Sequence, residues 1–384
     1  MKILYDYQAF AMQRFGGVSN CFVRLIENMP DEAQCEIALS ECNNTHLRQS
    51  RLKQVAPATT DVDNFISQRY FFGRRTLFNL YSQLLPARTS LGRNRQVAVE
   101  ALQRGDYDVF HPTFFDTYFL PYLQGRPFVL TVHDMTPEVF HWRMDQQMMQ
   151  KRELAMKATH IVAVSEQTKH DLMEILKVPE EKITVVYHGV QEQAPVSDAE
   201  PLVPGRYLFY VGQRKEAYKN FLPMLKALMP VLRHHTELEV VCTGPDFTRA
   251  EQQFFRQHGI ADRMIHLRPD DEGMRNLYRH ALCFVYPSLY EGFGIPILEA
   301  WQAGCPVLLN RKSCFPEIAQ EAAIYFHLDD ASTNLPQVME RFLSLSSAER
   351  KALTDRQTLR LQQFSWKRSA EQLYQVYRRI ATHA

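Results

Sequence analysis

The chain has 384 residues, which is too long for one ordinary hydrophobic core and predicts two domains. Hydrophobic residues make up 45% of the sequence, so a sizeable buried core is feasible and wholesale disorder is not expected. Lysine and arginine together number 44 and aspartate and glutamate 43, and this near-neutral balance gives no support for nucleic-acid binding.

Short apolar runs rich in β-branched residues recur along the chain and predict its strands. In the first half they cover residues 3–7, 35–39, 109–111, 128–133, 160–164 and 183–187. In the second half they cover residues 207–212, 238–243, 264–267, 283–286, 306–309 and 323–326. These runs alternate with helix-like segments, which predicts an α/β fold of two Rossmann-like, doubly wound domains with parallel sheets.

Two further segments bound the predicted domains. Residues 191–205, QEQAPVSDAEPLVPG, are rich in proline and acidic residues and lack helix or strand periodicity. We interpret them as the linker between domains at 1–192 and 203–363. Within the final segment, 364–384, the stretch SWKRSAEQLYQVYRRI has apolar residues on one face and predicts an amphipathic helix.

The seven cysteines and the N-terminus bear on the cellular compartment. The cysteine count is odd and Cys-x-x-Cys does not occur, which favours reduced, buried thiols over a disulfide framework or a zinc site. The sequence MKILYDYQAF begins directly with a strand pattern and shows no signal peptide, and no apolar run is long enough to span a bilayer. We therefore expect a soluble, cytoplasmic protein, and we leave open contact with the inner face of the cytoplasmic membrane.

Two glutamates lie in the stretch YPSLYEGFGIPILEAWQAGCPVLL, residues 286–309. Glu291 lies in a turn with Gly292 and Gly294, glycines that allow positive φ and a close approach of a ligand to the backbone. Ligands of doubly wound sheets bind where the strands end, so we expect Glu291 to be functional. Glu299 lies in the helix that follows, whose free N–H groups suit a phosphate, but its carboxylate is explained equally well as a complement to the helix dipole.

Other candidates also follow predicted strands. Arg214 and Lys219 lie in YVGQRKEAYKN, where two cations would suit a diphosphate and a solvated loop of surface charges is the alternative. His133 ends PFVLTVH at a strand terminus that faces a ligand crevice, although a lone histidine in an apolar run is more often a core residue. Gly16 and Gly17 precede a helix without completing G-x-G-x-x-G, so a nicotinamide site is unsupported and a plain tight turn is the alternative.

Together these segments resemble the retaining GT-B glycosyltransferases, specifically the large family 4 that includes bacterial mannosyl- and glucosyltransferases of polysaccharide assembly. PSLYEGFGIPILEAWQAGCPV is similar to the Glu-x7-Glu signature of that family, and VGQRKEAYKN is similar to its arginine–lysine phosphate pair. RFGGVS, TVHDMTP and AVSEQTKHDL resemble segments of the first domain in that family. The resemblance covers nearly the whole chain and is loose between residues 40 and 105.

The resemblance implies a GT-B arrangement, in which the two domains face an interdomain cleft and the C-terminal helix packs back on the first domain. It also implies roles in binding a nucleotide-sugar donor. Glu291 would bind sugar hydroxyls, Glu299 ribose hydroxyls, and Arg214 with Lys219 the diphosphate. The remaining donor-site candidates are Gly16 and Gly17 near the phosphates or sugar, His133 at the reacting region, Arg268 beside the nucleobase, and the turn residues Gly292, Phe293, Gly294 and Ile295.

The implied reaction transfers a hexose to a glycan or lipid-linked glycan acceptor without a metal ion or other cofactor. Cleavage of the sugar–phosphate bond builds negative charge on the leaving diphosphate, which Arg214, Lys219 and a helix N-terminus would stabilise in place of a divalent ion. By likeness to O-antigen mannosyltransferases, the first expectation is GDP-mannose as donor in bacterial surface polysaccharide synthesis, and UDP-glucose-type donors follow. The family also implies retention through a front-face displacement.

The chain departs from the family in three places. His188-Gly189 stands where the family often has Asn-Gly, and the linker at 200–204 is idiosyncratic. We expect neither of these two departures to touch the proposed chemistry. In addition, RKEA separates Arg214 from Tyr218 in a form that is unusual for the family.

Residues 64–99, termed here the basic segment, contain no acidic residue. We hypothesise that the segment faces a membrane or a lipid-diphosphate-linked acceptor, and the equal alternative is a helix pair with core aromatics and solvated arginines. The segment interleaves Arg69, Arg74, Arg75, Arg88, Arg93 and Arg95 with Phe65, Tyr70, Phe71, Phe72, Phe78 and Tyr81.

Three other interpretations of the chain stay open. The first is a nucleotide-sugar epimerase of the same fold, against which the spacing of the two glutamates argues. The second is a metal-dependent GT-A transferase with an Asp-x-Asp motif at 61–63 or 106–108, although neither triplet follows a clear buried strand. The third is a non-catalytic binding subunit of a polysaccharide assembly complex, against which the presence of all four charged candidates argues.

Overall fold

The computed structural model describes residues 1–53, 55–67, 71–190, 200–329 and 333–382. The chain divides into two compact units, one formed by Met1–Gly189 with Trp366–Ala384 and the other by Val190–Ser365. Most of the predicted linker, at 191–199, and Arg69 and Tyr70 of the basic segment lie outside the described residues.

The first unit is built on parallel strands covered by helices. Its strands are β1 Lys2–Tyr5, β2 Gln34–Ile37, β3 Val109–His111, β4 Val129–Val132, β5 His160–Ala163 and β6 Ile183–Val185. They pair in the orders β2-β1-β3 and β4-β5-β6, and a parallel bridge between Phe110 and Phe128 links β3 to β4. Its first helices are α1 Gln8–Met12, α2 Gly17–Glu27, α3 Thr45–Gln49, α4 Arg74–Leu84, α5 Ser90–Arg104, α6 Thr136–Val139, α7 Gln146–Lys157 and α8 Glu166–Leu176.

The second unit contains one six-stranded parallel sheet. Its strands are β7 Arg206–Tyr210, β8 Leu238–Cys242, β9 Met264–His266, β10 Cys283–Tyr286, β11 Val307–Asn310 and β12 Ile324–Phe326, in the order β12-β11-β10-β7-β8-β9. Its helices are α9 Phe221–His234, α10 Arg249–Gln257, α11 Asp271–His280, α12 Ile295–Gln302, α13 Phe315–Ala319, α14 Leu335–Leu343 and α15 Ser347–Leu361. Strand β10 lies centrally and is buried along its length, so the loop that follows it emerges at the middle of the sheet edge.

The last helix, α16 at Trp366–Ala381, belongs to the first unit. Its apolar face is buried, and the Tyr377 hydroxyl lies 2.9 Å from the Tyr5 hydroxyl on β1 and 2.5 Å from Nδ1 of His111 on β3. Ser369 Oγ donates a hydrogen bond to the Tyr187 carbonyl oxygen at 2.6 Å. Buried polar groups therefore fix this helix to the first sheet in a defined register.

The α/β fold class predicted from the sequence is confirmed. Each of the twelve predicted strands coincides with an observed one to within two residues at either end. The continuous burial of strands such as β4, β5, β10 and β11 explains why their sequences are mostly apolar without alternation, since both faces of each sheet are covered. Among the described residues, no helix combines the length and hydropathy that crossing a bilayer requires.

Candidate functional site

The centre of the candidate site in the second unit is an ion pair at the carboxyl edge of its sheet. Lys219, which follows β7, donates from Nζ to Oε1 of Glu291, which follows β10, at 2.6 Å. The two residues are 72 positions apart in sequence, and their side chains are only 15% and 13% exposed. The backbone N–H of Glu291 donates to Ser313 Oγ at 3.2 Å, and Ser313 Oγ donates to the Glu291 carbonyl oxygen at 2.8 Å, which fixes the turn.

Helix α12 begins directly after this turn. Gly294 has φ 92°, and a Cβ there would lie 3.1 Å from Ile297 Cδ1 and 3.2 Å from Phe315 Cε1. A glycine is therefore required for the chain to turn from Glu291 into the helix whose first residue is Ile295. The preceding residue, Phe293, packs edge-on against Phe364 with ring centroids 5.8 Å apart.

Glu299 lies one turn into α12. The Tyr278 hydroxyl of α11 donates a hydrogen bond to its Oε2 at 3.3 Å. Burial raises the pKa of the Glu299 carboxyl, and the Tyr278 hydrogen bond offsets this only in part. A carboxyl group held in this way suits a neutral hydroxyl ligand better than a second anion.

Arg214 differs from its predicted role as an accessible cation. Its guanidinium is buried, with Nε donating to Glu251 Oε1 at 2.9 Å, Nη1 donating to the Thr243 carbonyl oxygen at 2.9 Å, and Nη2 donating to the Pro245 carbonyl oxygen. The Phe247 ring centroid lies 4.8 Å from the guanidinium carbon. Arg214 thus joins the end of β8 to α10, and a diphosphate would have to compete with these acceptors.

The neighbouring strand ends pack closely. Gly212 and Gly244 both have positive φ, and a Cβ on Gly244 would lie 2.6 Å from the Gly212 carbonyl oxygen. Arg268, after β9, is exposed and donates from Nη2 to Asp246 Oδ2 at 2.6 Å. Glycine at position 244 therefore lets the loops after β7 and β8 approach each other at the same edge as Glu291.

In the first unit, the two candidate glycines have different surroundings. Gly16 is in extended backbone before α2, and a Cβ there would collide with the side chain of Gln13. Gly17 begins α2, and a Cβ there would meet no protein atom within 4 Å. A side chain at position 16 would therefore require Gln13 to move, whereas the open face of Gly17 beside the helix N-terminus is compatible with a ligand.

His133 lies just beyond β4 and is enclosed by aromatic rings. Its ring stacks on that of His188 with centroids 5.8 Å apart, and Phe22 meets it edge-on at 6.0 Å. Burial lowers the pKa of His133 to about 4 and that of His188 to about 3, so both imidazoles are neutral at neutral pH. His188, which stands at the His188-Gly189 departure, therefore lies against a candidate residue, and the expectation that this departure does not touch the proposed chemistry stays a prediction.

Sequence reasoning missed several residues that hold this edge together. Glu251 was detectable, because Thr248 and Glu251 form a capping box at the start of α10 and Glu251 also binds Arg214. Tyr278 and Ser313 carry no local signal, since their partners, Glu299 and Glu291, are brought near only by the fold.

The carboxylates of the two Asp-x-Asp motifs are engaged in protein contacts. Asp106 binds Lys2 Nζ at 2.6 Å, and Asp108 accepts from the Lys2 backbone N–H at 2.7 Å, at the amino edge of β1 and β3. Asp61 accepts from the Asn43 amide at 2.5 Å. Asp106 and Asp108 therefore lie away from the carboxyl edge of the sheet, where a donor binds in doubly wound folds.

Two family models match the chain. The model described as Glycosyltransferase Family 4 matches residues 15–194, and the model described as Glycosyl transferases group 1 matches residues 205–344. This chain belongs to the GT-B glycosyltransferases. The glycosyltransferase carries the Glu291–Lys219 pair and the α12 turn inside the second matched region.

Curated relatives resemble the glycosyltransferase at modest identity. It is 27% identical over 236 residues to the O-antigen chain mannosyltransferase RfbU of Salmonella typhimurium, covering 58% of this chain and 65% of the relative. It is 26% identical over 293 residues to the O-antigen chain mannosyltransferase B of Escherichia coli, covering 71% of this chain and 74% of the relative. A third relative, the GDP-mannose:cellobiosyl-diphosphopolyprenol alpha-mannosyltransferase of Xanthomonas oryzae, is 26% identical over 210 residues, or 52% of this chain and 53% of the relative.

Solved structures share the fold of the glycosyltransferase. Sucrose-phosphate synthase from Thermosynechococcus elongatus matches with a TM-score of 0.71 and 16% identity, over 100% of this chain and 99% of that one. Anabaena Alr3699/HepE, in complex with UDP and glucose, matches with a TM-score of 0.68 and 15% identity, over 98% of this chain and 99% of that one. At these identities the likeness concerns the fold.

Proposed function

We propose that this glycosyltransferase is a retaining, metal-independent enzyme that transfers mannose from GDP-mannose to a glycan or lipid-linked glycan acceptor in bacterial surface polysaccharide synthesis. The observation that carries the proposal is the Lys219–Glu291 pair, which lies at the carboxyl edge of the second sheet and directly before the N-terminus of α12. A cation, a carboxylate and free backbone N–H groups are what a sugar diphosphate requires.

Each group has a proposed task on the donor. Glu291 accepts hydrogen bonds from the sugar hydroxyls, and Lys219 shares its ammonium between Glu291 and the diphosphate. As the sugar–phosphate bond breaks, negative charge grows on the diphosphate, so Lys219 interacts more strongly in the transition state than in the ground state. Glu299 accepts from the ribose hydroxyls, with Tyr278 orienting its carboxyl.

Two candidates receive roles adjusted to their surroundings. Because the N–H groups of Arg214 are taken by Glu251 and backbone carbonyls, we assign to it the positioning of the β8 loop and a positive potential at the diphosphate. His133 is neutral at neutral pH, so it contributes a hydrogen bond to the sugar or acceptor rather than a positive charge.

GDP-mannose is the proposed donor because the three relatives are named as mannosyltransferases, and the name of the Xanthomonas oryzae relative includes GDP-mannose. A UDP-sugar is the second candidate, since a structural neighbour was solved with UDP and glucose. The discriminating experiment incubates the full chain with each donor and an acceptor in excess EDTA and measures the nucleoside diphosphate released. Release from GDP-mannose in EDTA supports the proposal. Release only with UDP-sugars refutes GDP-mannose as the donor, and release only with added Mg²⁺ or Mn²⁺ refutes metal-independence. NMR of the product tests whether the configuration at the anomeric carbon is retained.

The acceptor side of the proposal includes contact of α4 with a membrane surface. Helix α4 contains no buried residue, and Phe72, just before it, is 95% exposed. Leu77, Leu80 and Leu84 are exposed on α4 at a spacing that places them on one face, whereas Arg74 donates to the Asp63 carbonyl oxygen at 2.7 Å. An exposed face of leucines, on a helix that also carries the exposed Arg75, suits the interface of an anionic bilayer.

Binding to liposomes tests this contact. Leu84→Asp should reduce binding of the full chain to liposomes rich in anionic lipid, because Leu84 is 71% exposed and a carboxylate there opposes insertion. Leu359→Asp is the matched control, since Leu359 is 66% exposed on α15 of the other unit. Equal binding by both variants and the parent protein would remove α4 from the proposal.

A further inference from the structure

Three side chains with ligand-forming atoms converge in the first unit. Cys21 is on α2, His133 follows β4 and His188 follows β6, and their candidate ligand atoms all lie within 4.8 Å of one another. Cys21 Sγ lies 3.4 Å from His188 Nδ1, and the two histidine rings are stacked at an interplanar angle of 19°. Three separate elements thus direct a thiol and two imidazoles to one place.

One ring nitrogen of this cluster lacks a hydrogen-bond partner. Nε2 of His133 is buried and has no hydrogen-bond partner among the described residues. A buried polar atom without a partner is unfavourable, so a ligand that binds it is favoured. Each imidazole has one nitrogen that can coordinate an ion, and the candidate nitrogen of each ring lies within 4.8 Å of the other ligand atoms.

The chemistry and spacing of the cluster suit one class of ion. A thiolate and two imidazoles prefer Zn²⁺ and similar ions, whereas Mg²⁺ prefers oxygen ligands. With Zn–S near ~2.3 Å and Zn–N near ~2.1 Å, ligand atoms around a tetrahedral ion lie roughly 3.4–3.6 Å apart. The separation of Cys21 Sγ and His188 Nδ1 already matches this at 3.4 Å, and the other two pairs lie within 4.8 Å.

We propose that Cys21, His133 and His188 form a binding site for a thiophilic divalent cation such as Zn²⁺, and that the bound ion withdraws His133 from sugar transfer. The Cys21 thiol releases its proton to solvent as the metal–sulfur bond forms, and a water molecule completes the tetrahedron. The inhibitory consequence rests on the role proposed above for His133, whereas the binding itself does not.

The binding test is a Co²⁺ titration of the full, EDTA-dialysed chain, followed by absorption spectroscopy. A thiolate–Co²⁺ charge-transfer band should grow to one equivalent and be bleached by Zn²⁺. Cys21→Ser should abolish the band and His188→Asn should weaken Co²⁺ binding at least tenfold. The matched thiol control is Cys35→Ser, because Cys35 is a partly exposed cysteine outside the cluster and its loss should leave the band intact.

A second control removes the other cluster of metal-ligating side chains among the described residues, His234, His235 and Glu340 on the second unit. That cluster contains no thiol, so a His234→Ala/His235→Ala variant should keep the charge-transfer band. The functional readout is the ratio of transfer activity with and without Zn²⁺, which should return to one in His188→Asn. Thermal unfolding of each variant checks that it is folded.

The outcomes separate the site from the proposed function. Absence of a Cys21-dependent band, or an unchanged Co²⁺ affinity in folded His188→Asn, overturns the metal site. A band that depends on both residues, without inhibition by Zn²⁺ of an otherwise active enzyme, retains the metal site and overturns the assignment of His133 to transfer.

Discussion

Removal of the Lys219 ammonium by Lys219→Met tests the most specific geometry in the second unit. Lys219 Nζ lies 2.6 Å from Glu291 Oε1, in a pair whose side chains are 15% and 13% exposed. If Lys219 also holds the leaving diphosphate, its removal costs one charge-assisted contact in the transition state. Such contacts are worth roughly 1.5–3 kcal/mol. The expected loss in kcat/KM is therefore roughly 10- to 150-fold, and it should fall mainly on kcat.

The assay is steady-state release of nucleoside diphosphate in the presence of EDTA. Lys219→Arg keeps the charge and should lose less activity than Lys219→Met. Lys215→Met is the matched control, because Lys215 is an exposed lysine of the same loop and its removal should leave kcat/KM within about twofold. The double variant Lys219→Met/Glu291→Gln should recover thermal stability, since no unpaired carboxylate remains, but should not recover activity. Full activity in Lys219→Met, or recovery of activity in the double variant, would show that the pair is only structural.

Three further variants test the surrounding residues. Glu299→Gln should weaken nucleotide binding at least tenfold yet raise the unfolding temperature at neutral pH. Burial raises the pKa of the Glu299 carboxyl, so the folded protein binds this proton more tightly than the unfolded chain does. The protonated carboxyl therefore contributes to the free energy of unfolding at low pH, and this contribution is lost as the pH rises through the raised pKa. The stabilisation by Glu299→Gln should therefore disappear below about pH 4, and an effect that is the same at all pH values would contradict this. Gly17→Ala should leave the unfolding temperature unchanged and reduce transfer, because a Cβ there would meet no protein atom within 4 Å and would face the ligand; unchanged transfer would remove Gly17 from the site. Gly294→Ala should lower the free energy of unfolding, measured by urea titration, by about 1–2 kcal/mol. The reason is that φ is 92° at this position and that the new Cβ would lie within 3.2 Å of the side chains of Ile297 and Phe315. An unchanged urea midpoint would show that alanine is not strained there.

The fold was largely predictable from the sequence because parallel strands buried on both faces leave an unmistakable pattern. Runs such as 128–133 and 283–286 are mostly apolar along strands that the sheet buries, and glycine marks the turn at Gly294. The same logic identified Glu291 and Lys219 separately, since both follow strands at the carboxyl edge.

The side-chain partners within the site were less accessible to sequence reasoning. Nothing local to Arg214 indicates that its guanidinium is buried against Glu251, because that partner lies 37 positions away and is set by the packing of α10. The stacking of His188 on His133 likewise depends on how the ends of β4 and β6 approach each other. Residue type and position after a strand predict which side chains lie at the carboxyl edge of a sheet. Which side chains bind each other at that edge depends on the packing of the folded chain.

The most direct test of the central claim is thermal unfolding of the full chain with GDP, UDP, ADP or CMP in excess EDTA. At a concentration 100 times its dissociation constant, a bound nucleotide adds about 2.7 kcal/mol to stability. We predict a rise in the unfolding temperature with GDP that persists in EDTA and is sharply reduced in Lys219→Met. If no nucleotide raises the unfolding temperature, or if one does so only with a divalent cation, the metal-independent nucleotide-sugar site proposed around Glu291 and Lys219 is contradicted.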